Sequence, residues 1–205
     1  MVLGSAVKPL RALVWSDAAS ADWSLVQQCI AGDEDASTRL VTDHQRMVFQ
    51  LGLHLLGDRQ EALDLSQEVF LKVFRTLRQF RGQSTLRTWI YRIVVNMASN
   101  RQRWWRRRHR AQQVGLDDLP NERIALSDAR SWTQPDKVLQ QTETHHRVWD
   151  ALNALPFDQR AVIVLREIDG LSYEEIATSL EVAVGTVKSR LARAREGLRL
   201  ALGAQ

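Results

Sequence analysis

Cysteine is nearly missing from this chain: Cys29 is the single one in 205 residues. No internal disulfide can staple the fold, and without Cys/His pairs at ligand spacing no zinc site is implied. Proline and glycine are scarce, at 4 and 10 residues, so little interrupts regular structure. No apolar run approaches the roughly 18 residues needed to cross a bilayer. The opening MVLGSAVKPLRALVW has neither a signal-peptide core nor a small-residue cleavage site. A cytoplasmic chain is expected.

Acidic residues are also missing where they would matter. Between Glu68 and Asp117 there is no Asp or Glu, and that segment holds 12 of the 28 cations, from Lys72 and Arg75 to Arg108 and Arg110. Just upstream, Asp33, Glu34, Asp35, Asp43, Asp58, Glu61, Asp64 and Glu68 form an acidic stretch. A net charge of only +4 therefore conceals a strongly polarised chain. Such polarity suits a polyanion on one surface and a different partner on another.

What is present is helical period. With 44% hydrophobic residues the chain can build packed cores. Apolar positions recur at helical spacing almost throughout, with no sustained alternation of the strand type, which predicts an all-α protein. Ala62, Leu65, Val69, Val73 and Leu77 make one stripe, widened by Leu63, Phe70 and Phe74. Leu86, Trp89, Ile93 and Met97 make a second, with Ile90 and Val94 beside it. Asp58 with Glu61, and Ser172 with Glu175, have capping-box spacing. The period lapses in GLDDLPNERIALSDARSWTQP, where prolines and acids cluster. We expect two small helical domains, residues 22–111 and 135–205, joined by a flexible linker at 112–134 and preceded by an extension at 1–21.

The clearest motif is DGLSYEEIATSLEVAVGTVKSRLARAREGL. Gly170 ends one helix and Ser172 opens a short one with Ile176, Ala177 and Leu180 inside. A tight turn from Glu181 to Val184 follows, and a second helix starts near Gly185. This is helix-turn-helix spacing. Val187, Leu191, Ala194 and Leu198 face inward, while Thr186, Lys188, Ser189, Arg190, Arg193 and Arg195 are displayed outward. Arginine suits guanine edges, and lysine or hydroxyls suit phosphates, so the second helix is a candidate major-groove reader. The same spacing also fits a helical hairpin with a solvated basic face.

Taken together, these segments resemble the extracytoplasmic-function (ECF) sigma factors, which give bacterial RNA polymerase its promoter specificity. DLSQEVFLKVFRTLRQFRG resembles that family's core-polymerase-binding helix, STLRTWIYRIVVNMASN its helix for the minus-ten element, and LREIDGLSYEEIATSLEVAVGTVKSRLARAREGL its minus-thirty-five reader. The domain at 22–111 would then be sigma region 2, and that at 135–205 sigma region 4. Asp64, Gln67 and Glu68 share one helix face by spacing, and their side chains can accept bonds from basic groups, although a merely solvated acidic face has the same pattern. The resemblance implies that this face, with Leu71, docks on the beta-prime clamp of the polymerase.

The resemblance further implies minus-ten DNA contacts from Phe80, Arg81, Ser84, Arg87, Trp89, Arg92, Asn96, Asn100 and Arg103. Opening a promoter requires capture of unstacked bases, whose extrusion costs a few kcal/mol that a pocket must return. The loop from Phe80 to Trp89 holds the family's position for that pocket, and Asn96 matches its base-contacting asparagine. Trp89 fits either DNA or core. Primary sigma factors carry a tryptophan pair where this chain has Trp89 and Ile90, which implies weaker strand separation here. In NRQRWWRRRHR the arginines would neutralise phosphates, a salt-sensitive term. Trp104 and Trp105 could stack on bases, meet a partner or pack inward. The implied partners are promoter DNA, the beta-prime clamp, the beta flap and an anti-sigma factor that holds the chain inactive, at the inner membrane where that partner is membrane-bound.

No enzymatic constellation competes with this. His44, His54, His109, His145 and His146 are scattered, and there is no phosphate-cradling glycine loop. No cofactor, metal or small-molecule substrate is expected. A stand-alone helix-turn-helix regulator would account for the carboxy-terminal half, but not for an acidic face followed by a loop and a basic helix.

Overall fold

The structure, a computed structural model, describes residues 17–112 and 146–203, with side chains for 21–108 and 146–203. Most of the expected extension, nearly all of the expected linker and residues 135–145 lie outside the described residues. Those described are helical, with no strand among them, so the all-α expectation holds.

The first half is a bundle of α1 (Asp17–Ile30), α2 (Glu34–Leu56), α3 (Arg59–Thr76) and α4 (Leu86–Gln112). The start of α1 falls inside the segment expected as an extension. Asp33 caps α2 by accepting from the Ala36 amide at 3.0 Å. At its far end Gly57 adopts φ 76° and donates to the Leu53 carbonyl, a left-handed stop that a side chain would strain. Asp58 caps α3 through the Glu61 amide at 2.7 Å. The expected reciprocal bond is not made, because Glu61 gives its carboxylate to Arg101 of α4 at 2.8 Å. Half of that capping box is spent on tying two helices together.

The stripe expected on α3 is the buried one: Ala62, Leu65, Val69, Val73 and Leu77 are all at most 2% exposed. On α4 the buried line is displaced. Leu86, Ile90, Tyr91, Val94 and Ala98 are fully buried, whereas Trp89, Ile93 and Met97 are only partly covered. The reason is that α4 packs on two sides, against α2 and α3 and also against the second half of the chain.

That second half contains a helix over 146–154 (α5), α6 (Phe157–Ile163) running into a π-helical turn at Val164–Ile168, α7 (Tyr173–Leu180) and α8 (Val184–Gly203). Ser172 and Glu175 complete their capping box in both directions. Glu181 ends α7 at φ 55°, the left-handed residue that makes the turn tight. Val187, Leu191 and Ala194 of α8 are buried as expected, with Leu198 partly so. The two halves share one apolar core rather than standing apart, with α7 lying on α4 and α6 touching α2. Arg160 of α6, 4% exposed, donates to the Leu55 carbonyl of α2 at 3.1 Å and to Asn153 Oδ1 at 2.8 Å. Burial pushes its guanidinium down to about 10.

Candidate nucleic-acid interface

The loop before α4 is held by aromatic packing. Phe80 is buried, tilted against Trp23 at 6.3 Å and edge-on to Trp89 at 5.6 Å between ring centroids. Both residues expected at the DNA therefore support the loop from within, Phe80 wholly and Trp89 in part. Asp22 accepts from the Leu86 amide at 2.8 Å, and Thr85 caps the helix start by accepting from the Thr88 amide at 3.1 Å. These bonds fix where α4 begins. Arg81 is exposed and Ser84 is partly covered, donating to the Thr85 carbonyl at 3.3 Å.

Along α4, Arg92, Asn96, Asn100 and Arg103 follow one another at helical spacing and form one polar stripe. Asn96 is exposed, and Asn100 accepts from Arg103 through its side-chain oxygen. Arg87 sits at the edge of this stripe, donating to the Tyr91 hydroxyl at 2.9 and 3.2 Å. Sequence reasoning passed over Tyr91, a fully buried residue whose phenol is pushed up to about 12 by burial. Its signal was an aromatic one turn after Arg87. Burial likewise raises Asp169, which lies beside Tyr91 and Arg87 across the contact between halves.

On α3, Asp64, Gln67, Glu68 and Leu71 are all exposed, Leu71 at 56%. Arg101 reaches across from α4 and binds Glu68 Oε1 at 2.8 Å as well as Glu61 Oε2 at 2.8 Å and the Glu61 carbonyl at 2.9 Å. Between α3 and α4 lies a cleft of about 550 Å³ walled by Glu61, Asp64, Glu68, Met97, Trp104 and Trp105, among others. Trp104 and Trp105 are exposed and meet edge to face at 5.2 Å, with Arg108 over the Trp104 ring. An acidic helix face and a tryptophan pair thus share one open groove.

Helix α8 divides its cations. Arg193, Lys188 and Ser189 are exposed and Thr186 is partly covered. Ser189 donates to the Thr186 carbonyl at 2.9 Å, and Lys188 lies 5.7 Å from the centre of the Tyr173 ring. Arg190 is ion-paired with Asp158 of α6 at 2.8 Å, and Arg195 with Glu167 at 2.6 Å. Arg190 also lines a small cavity with Asn96, which places expected minus-ten and minus-thirty-five residues within one space. No metal-binding cluster of His, Cys, Asp or Glu occurs among the described residues. No helix among them is long and apolar enough to cross a membrane.

The sequence matches the family model for sigma-70 region 2 over residues 40–111 and that for sigma-70 region 4 over residues 145–198. It is 39% identical over 183 residues to the RNA polymerase sigma-H factor of Pseudomonas aeruginosa, covering 88% of this chain and 93% of that protein. It is 38% identical over 178 residues to the ECF RNA polymerase sigma-E factor of Escherichia coli K12, covering 86% and 92%. Among solved structures it resembles CnrH, determined in complex with the cytosolic domain of CnrY, at TM-score 0.64 and 25% identity over 90% of this chain and 99% of that one. It shares the fold of RpoE from Bartonella quintana, solved with the anti-sigma factor NepR, at TM-score 0.63 and 24% identity over 81% and 96%.

Proposed function

Because this chain belongs to the sigma-70 family, among its extracytoplasmic-function sigma factors, we propose that it divides promoter recognition between the α4 stripe and the α8 helix while α3 docks on polymerase. It is a cytoplasmic initiation factor, and bond-making belongs to the polymerase it directs. The observation that carries the reading is the α3–α4 pair. One face of α3 offers Asp64, Gln67, Glu68 and Leu71 to solvent, and α4, tied to it by Arg101, offers Asn96, Asn100 and Arg103, with Arg92 partly covered and paired with Glu181. A docking surface and a strand-capturing surface are thereby held in fixed relation, which is what melting at a defined distance from the polymerase requires.

On α4, arginines at the ends of the stripe neutralise phosphates, and asparagine edges between them read an unstacked base. On α8, Arg190 and Arg193 read the major groove of the minus-thirty-five element and Lys188, Thr186 and Ser189 hold its backbone. Arg195, engaged by Glu167, serves chiefly to fix α8 on the preceding turn. Phe80 and Trp89 shape the loop rather than touch bases directly. Trp104 and Trp105 belong to the α3 groove, beside the beta-prime clamp. The second half also meets the beta flap. An anti-sigma factor is the regulatory partner, supported by RpoE of Bartonella quintana having been solved with the anti-sigma factor NepR.

The test is transcription by sigma-free polymerase from a promoter library. Promoter-specific transcripts that depend on the chain are expected. Asn96→Ala should abolish opening with duplex contacts kept. Arg190→Ala should cost about 1–3 kcal/mol on promoters with the matching base. Transcripts that never depend on the chain would refute the reading.

A further inference from the structure

The loop before α4 has a wall that comes from outside it. Helix α1 lies against the short turn at Leu77–Gln79 and against α4. Asp22 fixes it there by accepting from the Leu86 amide at 2.8 Å, and Leu25 and Val26, both buried, anchor it to the bundle. Trp23, the residue after Asp22, turns its ring to the loop instead. It is tilted against Phe80 at 32°, with 6.3 Å between ring centroids. Gly82 passes along its six-membered edge: a methyl at Gly82 would stand 3.5 Å from Cε3 and 3.9 Å from Cζ3. Because Gly82 adopts φ 65°, a side chain there would be strained and would also lie against the indole. The loop thus crosses the tryptophan at a residue with nothing to cover it, and 43% of Trp23 stays exposed.

Of the three aromatic rings at this loop, Phe80 is buried, Trp89 is partly covered and Trp23 is exposed. A tryptophan half in water forgoes the stabilisation that full burial brings, and Phe80 already closes the loop from within. Its surroundings suit one occupant. Arg78, Arg81 and Arg87, all exposed, stand before, within and after the loop, while the Asp22 carboxylate is turned onto the Leu86 amide. An open π-face among phosphate-binding cations is what holds single-stranded nucleic acid, since every base brings a π-face and every link a phosphate.

Resting on the functional reading above, we infer that Trp23 is a nucleobase-stacking site: α1 supplies a platform on which one unpaired base of the separated minus-ten strand lies flat. Asn96 stands about 15 Å along α4 from Leu86, so the base on Trp23 is a different one from that read by Asn96. Stacking is tolerant of base identity. Trp23 therefore adds to strand capture without narrowing promoter choice, and supplies from another helix a contact that Ile90 cannot make.

The experiment uses the full chain assembled with polymerase, and a single-stranded oligonucleotide carrying the minus-ten sequence of a promoter that library transcription selects. Trp23→Ala should bind it about tenfold more weakly, a loss of about 1.4 kcal/mol, the size of one base–aromatic stack. Trp23→Tyr should stay within about threefold of the parent, because it keeps a π-face. Trp23→Leu keeps apolar contact with Phe80 and Gly82 without a π-face, and should bind as weakly as Trp23→Ala. The Tyr and Leu variants carry the test if Trp23→Ala disturbs folding, judged by circular dichroism.

An abasic scan separates stacking from support of the loop. Removing one base at a time should reveal a position where the parent loses affinity although exchange for any other base does little. There the abasic oligonucleotide and Trp23→Ala should cost no more together than either does alone. Penalties that add at every position, or a Trp23→Leu chain that binds as tightly as the parent, overturn the inference. A parent that yields no promoter-specific transcripts strikes the sigma-factor reading and the inference with it, so the two failures are told apart.

Discussion

Arg101 offers the most direct test of how the bundle is held. Its side chain is 17% exposed and its two terminal nitrogens separate the work: one binds the Glu61 carboxylate and carbonyl at 2.8 and 2.9 Å, the other Glu68 at 2.8 Å. The inner leg is a charge-assisted bond in a partly dry site, a type that contributes about 1.5–3 kcal/mol. The outer leg ends on a carboxylate that is 54% exposed, so it contributes about 0–1 kcal/mol. Arg101→Ala should therefore destabilise the chain by about 2–3 kcal/mol, including the lost packing of its aliphatic stem. At about 2–4 °C per kcal/mol for a chain of this size, the melting midpoint should fall by about 4–12 °C. Glu68→Gln alone should change stability by less than about 1 kcal/mol. A double-mutant cycle read by denaturant unfolding should give a coupling above about 1 kcal/mol for the Glu61 leg and below about 0.5 for the Glu68 leg. An Arg101→Ala chain within about 0.5 kcal/mol of the parent would refute the argument, because a merely solvated pair behaves that way.

Other expected outcomes are briefer. Gly57→Ala should cost about 1–2 kcal/mol in a thermal melt, since φ is 76° and the new methyl would come 2.8 Å from Asn153 Oδ1. Leu65→Ala, at a fully buried position, should cost about 2–5 kcal/mol by denaturant unfolding. His54 is bound to the Gln50 carbonyl at 2.7 Å and packed on Trp149, and burial lowers its pKa from 6.5. The unfolded chain then binds more protons just below that value, so the stability His54 supports is full above 6.5 and drains as pH falls toward its folded pKa. His44 acts in the same direction, and Asp169, raised by burial, in the opposite one. His54→Gln should accordingly flatten the fall in melting midpoint between about pH 7.5 and 5, measured against the parent.

The parts of this fold that sequence disclosed are those governed by one local period. The α3 stripe was legible because α3 buries a single face, and the Ser172–Glu175 box because both partners lie within one turn. The line on α4 was misplaced by about one residue because Tyr91 and Val95 face the second half, a neighbour that no local period announces. Arg101 meets Glu61 and Glu68 from 40 and 33 residues away, and Arg160 meets Leu55 from 105. Such distances leave no trace in a window of sequence, and a buried arginine contradicts composition rules until its carbonyl partners are seen. At the candidate site, helix face and charge were legible for Asp64, Glu68, Asn96 and Arg193. Whether an arginine is available was not: Arg190 and Arg195 read alike in the sequence, yet each is already occupied by a different carboxylate.

Helix α4 is one unbroken rod of 27 residues, about 40 Å long at 1.5 Å per residue. Its foot is pinned by Asp22 and its middle by Arg101, so it behaves as a lever with two fixed points. Force applied to its free end beyond Trp105 cannot dissipate in a hinge. A load there is borne first by the Arg101 contacts and then by the Asp22–Leu86 bond beside the loop that Phe80 closes.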